Sequence, residues 1–227
     1  AVEVLVRWQH PEFGVLTPNY FLDDINDLGL SSHMTFHLLK SAVRDLVYFP
    51  HIKVSINLSA YDVENHYFIK QVINYLRANQ IGPSSIGSEL TESEAITNRR
   101  VAISSINALR DSGFDISIDD FGTGFSTFAY LKQVPASSVK IDGSFVKDMV
   151  KDPTDAALVK AIHDTAKALN KTTVAEFVEN EETLQKLADI GVHYAQGYYI
   201  GMPVPIEEIN DKGMQKTKSE PIGASMI

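Results

Sequence analysis

Short apolar runs alternate with longer amphipathic stretches along the whole chain, and five of those runs carry a carboxylate or carboxamide at or near their ends. They are VEVLVRW with Glu3, VSINLS with Asn57, GSELTES with Glu89, ISIDDFG with Asp119 and Asp120, and TVAEFVE with Glu176. Strand followed by helix, repeated, is the pattern of a parallel sheet with crossover connections. Strand candidates fall near 2–7, 52–58, 86–91, 114–119, 137–141, 172–176 and 192–197. That many units in 227 residues favour a β/α barrel over an open doubly wound sheet. Barrels place their active sites on the loops after the C-terminal strand ends, which is where these acids fall.

The intervening stretches have helix signatures. After Asp152, a good N-cap, Pro153 suits the first helical position, and Leu158, Ile162, Ala166 and Leu169 recur on one face. Over 98–112, Ala102, Ile106 and Leu109 share a face, and Gly113 can form the left-handed stop. From about Asn210 to Ile227 the periodicity is lost, so residues 1–209 read as one domain and 210–227 as a tail.

Carboxylates crowded at one end of a sheet repel each other and lose hydration, at a cost of several kcal/mol per ion. A cation relieves that cost, and an oxygen-only donor set in a chain with no cysteine selects Mg²⁺ or Mn²⁺. Each acid alone also reads as a cap or a surface ion pair, and Asn57 could cap a helix starting near Ser59. Together with Lys140 in SVKIDGSF and Glu179 three residues past Glu176, they supply metal ligands, a cation and spare carboxylates for proton transfer. A formal net charge of -9 excludes general attraction to DNA or RNA. No apolar run is long enough for a signal peptide or membrane span, so the expectation is a cytoplasmic domain without membrane insertion. Opening inside an apparent strand, it reads as a fragment of a larger protein, one that could be membrane-anchored elsewhere.

The ordered motifs EVLVRW, NLS, ELTES, DDFGTGFS, VKID, AEFVE and AQGYYIGMP resemble those of the EAL family of cyclic di-GMP phosphodiesterases over almost the whole chain. The resemblance implies a modified TIM-like (β/α) barrel, short of the helix and first strand that precede the EAL segment in the family. It implies hydrolysis of cyclic di-GMP to linear pGpG with two Mg²⁺ or Mn²⁺ ions. Glu3, Asn57, Glu89 and Asp119 look like ligands of one ion, and Asp119 with Asp120 would reach a second. Glu176 resembles a further acid of the cluster or a general base, so that Lys140, Glu176 and Asp120 form the implied catalytic set, with Lys140 holding the attacking water. Arg7 resembles a phosphate-binding arginine, while Glu179 and Gln196 look like residues that position side chains or ligand. Glu92 resembles the anchor of the loop from Asp119 to Ser126. Family members often pair through later helices, which makes a homodimer an expectation too.

The chain departs from the family pattern at Val4, Phe125, Ser137 and Phe177. Ser137 reads as a lost turn cap. Phe177 replaces a glycine between Glu176 and Val178, and strand alternation predicts that its ring points away from the Glu176 side chain onto a helix. The rival reading is a cyclic di-GMP receptor that binds without turnover. A protein-interaction barrel would make the acid pattern a coincidence.

Overall fold

A computed structural model of the protein describes residues 1–82, 85–91, 98–123, 128–209 and 223–224. Strands β1 (Val2–Glu3), β2 (Trp8–His10) and β3 (Gly14–Leu16) open the chain, with β2 and β3 forming a separate antiparallel hairpin. Helices α1 (Leu22–Asp27) and α2 (Ser31–Leu46) lead to β4 (Val54–Leu58), and α3 (Ala60–Glu64) and α4 (His66–Ala78) to β5 (Ile86–Thr91). The alternation continues through α5 (Arg99–Asp111), β6 (Asp115–Phe121), α6 (Phe128–Gln133), β7 (Ser138–Ile141), α7 (Gly143–Asp148) and α8 (Pro153–Ala168). It closes with β8 (Thr172–Ala175), α9 (Glu181–Ile190), β9 (Tyr194–Ala195) and β10 (Gly223–Ala224), a two-residue strand within the expected tail.

The main sheet runs β1-β4-β5-β6-β7-β8-β9-β10, and every adjacent pair is parallel. It curls as a TIM-like barrel does. Gln196, just past β9, donates from Nε2 to Glu3 Oε2 in β1 at 3.0 Å across the barrel mouth. Alternation sorts the side chains. Val54, Ile56 and Leu58 of β4, and Ile116 and Ile118 of β6, are buried beneath the outer helices, where they meet Ile69, Ile106 and Leu109. The opposite face is polar and small: Ser55, Gly87, Ser117 and Ser138 line an interior cavity of about 480 Å³ that reaches Glu89 and Lys140 at one end and the Lys53–Asp115 ion pair at the other.

The helix ends follow the local chemistry of the sequence. Asp152 caps α8 by accepting from Thr154 N at 2.7 Å, and Gly113 takes the left-handed conformation (φ 91°) after α5. The apolar face of α8 is rotated from the expected one. Val159, Ile162, His163 and Ala166 are its buried residues, whereas Leu158 is 41% exposed. Thr173 on β8 draws His163 inward, with Oγ1 2.9 Å from His163 Nδ1 and 2.9 Å from His193 Nδ1. Ser137, expected as a lost cap, donates to Asp115 Oδ1 at 2.7 Å, at the end of the barrel away from the acids.

Asn57 does not cap α3. Ser59 does, in a reciprocal capping box with Asp62. Asp62 is fully buried and accepts from Ser32 Oγ (2.7 Å), Thr35 Oγ1 (2.9 Å), Ser59 N (3.0 Å) and Ser59 Oγ (2.9 Å). This one carboxylate joins the start of α2 to the end of β4 and so supports Asn57 from behind. Replacing Asp62 by Ala strips the buried hydroxyls of their acceptor and should lower stability by about 3 kcal/mol or more. Urea unfolding checks this, with the midpoint expected to fall at unchanged slope; an unchanged midpoint would assign the network no structural weight.

Candidate active site

Parallel strands in register bring their C-terminal ends to one level. Asn57 of β4 lies opposite Glu89 of β5, and Thr91 of β5 opposite Asp119 of β6. Lys140 of β7 enters this ring from the barrel interior and is 3% exposed. Its Nζ lies 2.7 Å from Glu89 Oε2, 2.7 Å from Glu176 Oε1, 2.9 Å from Asp119 Oδ1 and 3.3 Å from Glu3 Oε2. Asn57 Nδ2 donates to Glu3 Oε1 at 2.6 Å, and Gln196 holds the other oxygen of the same carboxylate. Six strand-end residues from β1 to β9 thus gather around the Lys140 ammonium group, four in direct contact with it and two through Glu3.

The charges in this ring are out of balance. Burial would strip the Lys140 ammonium of its proton, but Glu89, Asp119, Glu176 and Glu3 outweigh burial and hold its pKa above the ordinary lysine value. Burial pushes Glu89 up to about 7 and Glu176 up to about 8, because Lys140 offsets only part of the desolvation. Asp119 is raised for the same reason. Asp120, half-buried beside Asp119 and Asp142, is raised to about 6, again chiefly by burial.

The donor set fits a hard divalent cation. Asp119, Asp120 and Glu176 each offer an oxygen within 4.8 Å of the others, and the buried carbonyl oxygen of Asn57 has no hydrogen-bond partner among the described residues. Two backbone positions help to aim these groups. Asp120 (φ 52°) and Phe177 (φ 53°) are left-handed without being glycine, and each directly follows an acid of the ring.

Of the remaining expected residues, Arg7 is exposed and donates from Nη1 to the Val6 carbonyl at 2.7 Å rather than to an acid of the ring. Glu179 is exposed and makes no hydrogen bond or ion pair among the described residues. Glu92 lies outside the described residues, as does Phe125. One residue was overlooked in the sequence. Asp142 ends the VKID run two residues past Lys140, and its carboxylate is among the groups that raise Asp120 while accepting from Ser144 N at 2.8 Å. Period-two alternation from Lys140 was the signal that could have found it.

A TIM-like β/α domain whose strand ends carry an oxygen-only acid ring around a buried lysine narrows the class of protein, and comparison with known proteins resolves it. The EAL domain family model matches residues 1–203, and the chain belongs to that family. It is 36% identical over 214 residues to the bifunctional diguanylate cyclase/cyclic di-GMP phosphodiesterase MucR of Pseudomonas aeruginosa, covering 92% of this chain and 31% of that protein. It is 36% identical over 210 residues to the probable cyclic di-GMP phosphodiesterase PdeA of Escherichia coli, covering 91% of this chain and 29% of that one. The chain therefore spans about a third of the length of these relatives. Among solved structures, the Pseudomonas aeruginosa MucR phosphodiesterase in complex with c-di-GMP superposes with a TM-score of 0.84 at 36% identity, over 91% of this chain and 85% of that one. The FimX EAL domain from Pseudomonas aeruginosa bound to c-di-GMP superposes with a TM-score of 0.82 at 25% identity, over 88% of this chain and 82% of that one. Among the described residues, no helix is long and apolar enough to cross a membrane.

The raised carboxylates set the pH dependence of the metal-free protein. A group whose folded pKa exceeds its unfolded value binds more protons when folded, so stability falls as pH rises between the two values. For Glu89 and Glu176 that window runs from the ordinary glutamate range to about 7 and about 8. In excess chelator the melting temperature should fall between about pH 7 and 8, above the ordinary histidine pKa of about 6.5, and added Mg²⁺ should flatten the slope. Calorimetric scans across that range test it; a flat or rising melting temperature in chelator would contradict the buried-acid assignment.

Proposed function

We propose that this domain hydrolyses cyclic di-GMP to linear pGpG with divalent cations, Mg²⁺ or Mn²⁺ and two in number, held by Glu3, Asn57, Glu89, Asp119, Asp120 and Glu176. The observation that carries the reading is the convergence of Lys140 with four buried carboxylates at the mouth of the barrel. A structural salt bridge needs one partner of each sign, whereas this ring has a surplus of acids that only further positive charge can stabilise. When bound, the cations would supply Lewis-acid activation of water and neutralise phosphoryl charge.

The chain's own residues do the rest. Lys140, kept protonated by its neighbours, donates hydrogen bonds that orient the attacking water and the phosphoryl oxygens. Glu176 or Asp120 takes the proton that water releases as its oxygen bonds to phosphorus and the P–O bond to the ribose 3′ oxygen breaks. The 3′ oxygen takes up a proton from solvent water, and the acid that received the first proton returns it to solvent, giving a linear product. Gln196 and Asn57 fix the rotamer of Glu3 from both sides. Arg7 meets a ligand phosphate once it turns from the Val6 carbonyl.

Turnover of cyclic di-GMP to pGpG should require Mg²⁺ or Mn²⁺ and be inhibited by Ca²⁺, which takes longer bonds and more ligands. Undiminished hydrolysis in excess chelator would overturn the metal assignment. Lys140→Ala should lower the single-turnover rate by roughly 10²-fold or more while cyclic di-GMP still binds. Arg7→Ala should leave the chemical step nearly intact and weaken binding about 10- to 150-fold, the scale for charge-assisted hydrogen bonds to phosphate. Tight binding by the unsubstituted protein with no turnover under any metal would establish the receptor reading instead.

A further inference from the structure

Phe177 is costly where it stands. Its backbone is left-handed (φ 53°), a conformation that glycine adopts freely and a side chain with a Cβ does not, and the residue is 58% exposed. The conformation is imposed from both sides. Val178 N donates to the Gln196 carbonyl at 3.0 Å, Tyr199 N donates to the Val178 carbonyl at 3.0 Å, and Gly197 approaches the Val178 backbone so closely that a Cβ there would overlap it. Glu176 and Val178 are both buried, and the exposed Phe177 between them turns to the other side, as strand alternation predicts. The ring comes to rest over Gly143, the first residue of α7, where any Cβ would collide with it. Gly143 follows Asp142 and stands three residues past Lys140 of the ring. A flat apolar face is thus held at the rim of the acid ring, between the ends of β7 and β8. It is seated on one side against backbone and open on the other.

Folding does not account for this ring, since a glycine would satisfy the turn and remove an exposed apolar group. A ligand does. Resting on the nucleotide reading above, we propose that Phe177 is the stacking platform for one purine base of the cyclic dinucleotide and so determines affinity at this site. Any planar base presents a π-face to a phenyl ring, and burying the exposed ring under it recovers what the free protein leaves unpaired. Tyr198, 62% exposed on the segment that follows Gln196, lies on the β9 side of the same rim.

Calorimetric titration with cyclic di-GMP in Ca²⁺, where it is not turned over, tests the platform. Phe177→Leu, which keeps apolar bulk but not the flat face, and Phe177→Gly should each weaken binding by about 5- to 150-fold, the scale for one base stacked on an aromatic ring, while Phe177→Trp retains it. Mn²⁺ binding should stay unchanged in all three, and the melting temperature of Phe177→Gly should hold or rise. A cyclic dinucleotide carrying 2-aminopurine should be quenched on binding the unsubstituted protein and not on binding Phe177→Leu. Equal affinity in Phe177→Leu and the unsubstituted protein overturns the platform alone. No binding by the unsubstituted protein sinks the nucleotide reading, and the platform with it.

Discussion

One buried ammonium group, Lys140 Nζ, lies within 3.3 Å of four carboxylates that come from strands β1, β5 and β6 and from the end of β8. Bringing any one of these charges out of water is costly, and the arrangement persists because the charges meet at hydrogen-bond distance. Much of the rest of the structure serves that meeting. The strands must be parallel so that their C-terminal ends share a level, and their register must put Asn57 beside Glu89. The sheet must also curl until Gln196 reaches Glu3. The lysine offsets only part of the acid charge, and the remainder creates the capacity to hold divalent cations.

Precision at the ring depends on groups well outside it. Asp62 ties α2 to the end of β4 behind Asn57, and the contacts of Thr173 with His163 and His193 fasten α8 and the approach to β9 around β8, which leads into Glu176. Among non-glycine residues, Gln80 and Asn170 are left-handed in turns after helices, whereas Asp120 and Phe177 are left-handed directly after acids of the ring. Local strain placed beside functional groups is sustained by the surrounding hydrogen bonds, here those of Val178 and Gln196.

Most of this was legible in the amino-acid order where the signal was local. Asp152 before Pro153 announced the start of α8, Gly113 the end of α5, and each acid-bearing apolar run became a strand or a strand end. The errors share a cause. Leu158 fits a helical stripe as well as Val159 does, but the face that packs is chosen by what waits on the sheet, and Thr173 draws His163 inward instead. Asn57 resembles a helix cap in one dimension, yet Glu3 lies within 2.6 Å in three.

By itself the sequence determined the repeating strand and helix units, the absence of thiolate chemistry, the acids at the strand ends and the family to which they belong. These are properties of neighbouring residues, fixed by propensity, capping and period. Only the tertiary structure decided that Glu3 would share its carboxylate with a glutamine 193 positions away and that one lysine would hold four acids. It also decided that Phe177 would turn outward over Gly143. Those outcomes depend on how far the sheet curls and on which backbones press together, and such long-range packing leaves no periodic trace in the order of residues.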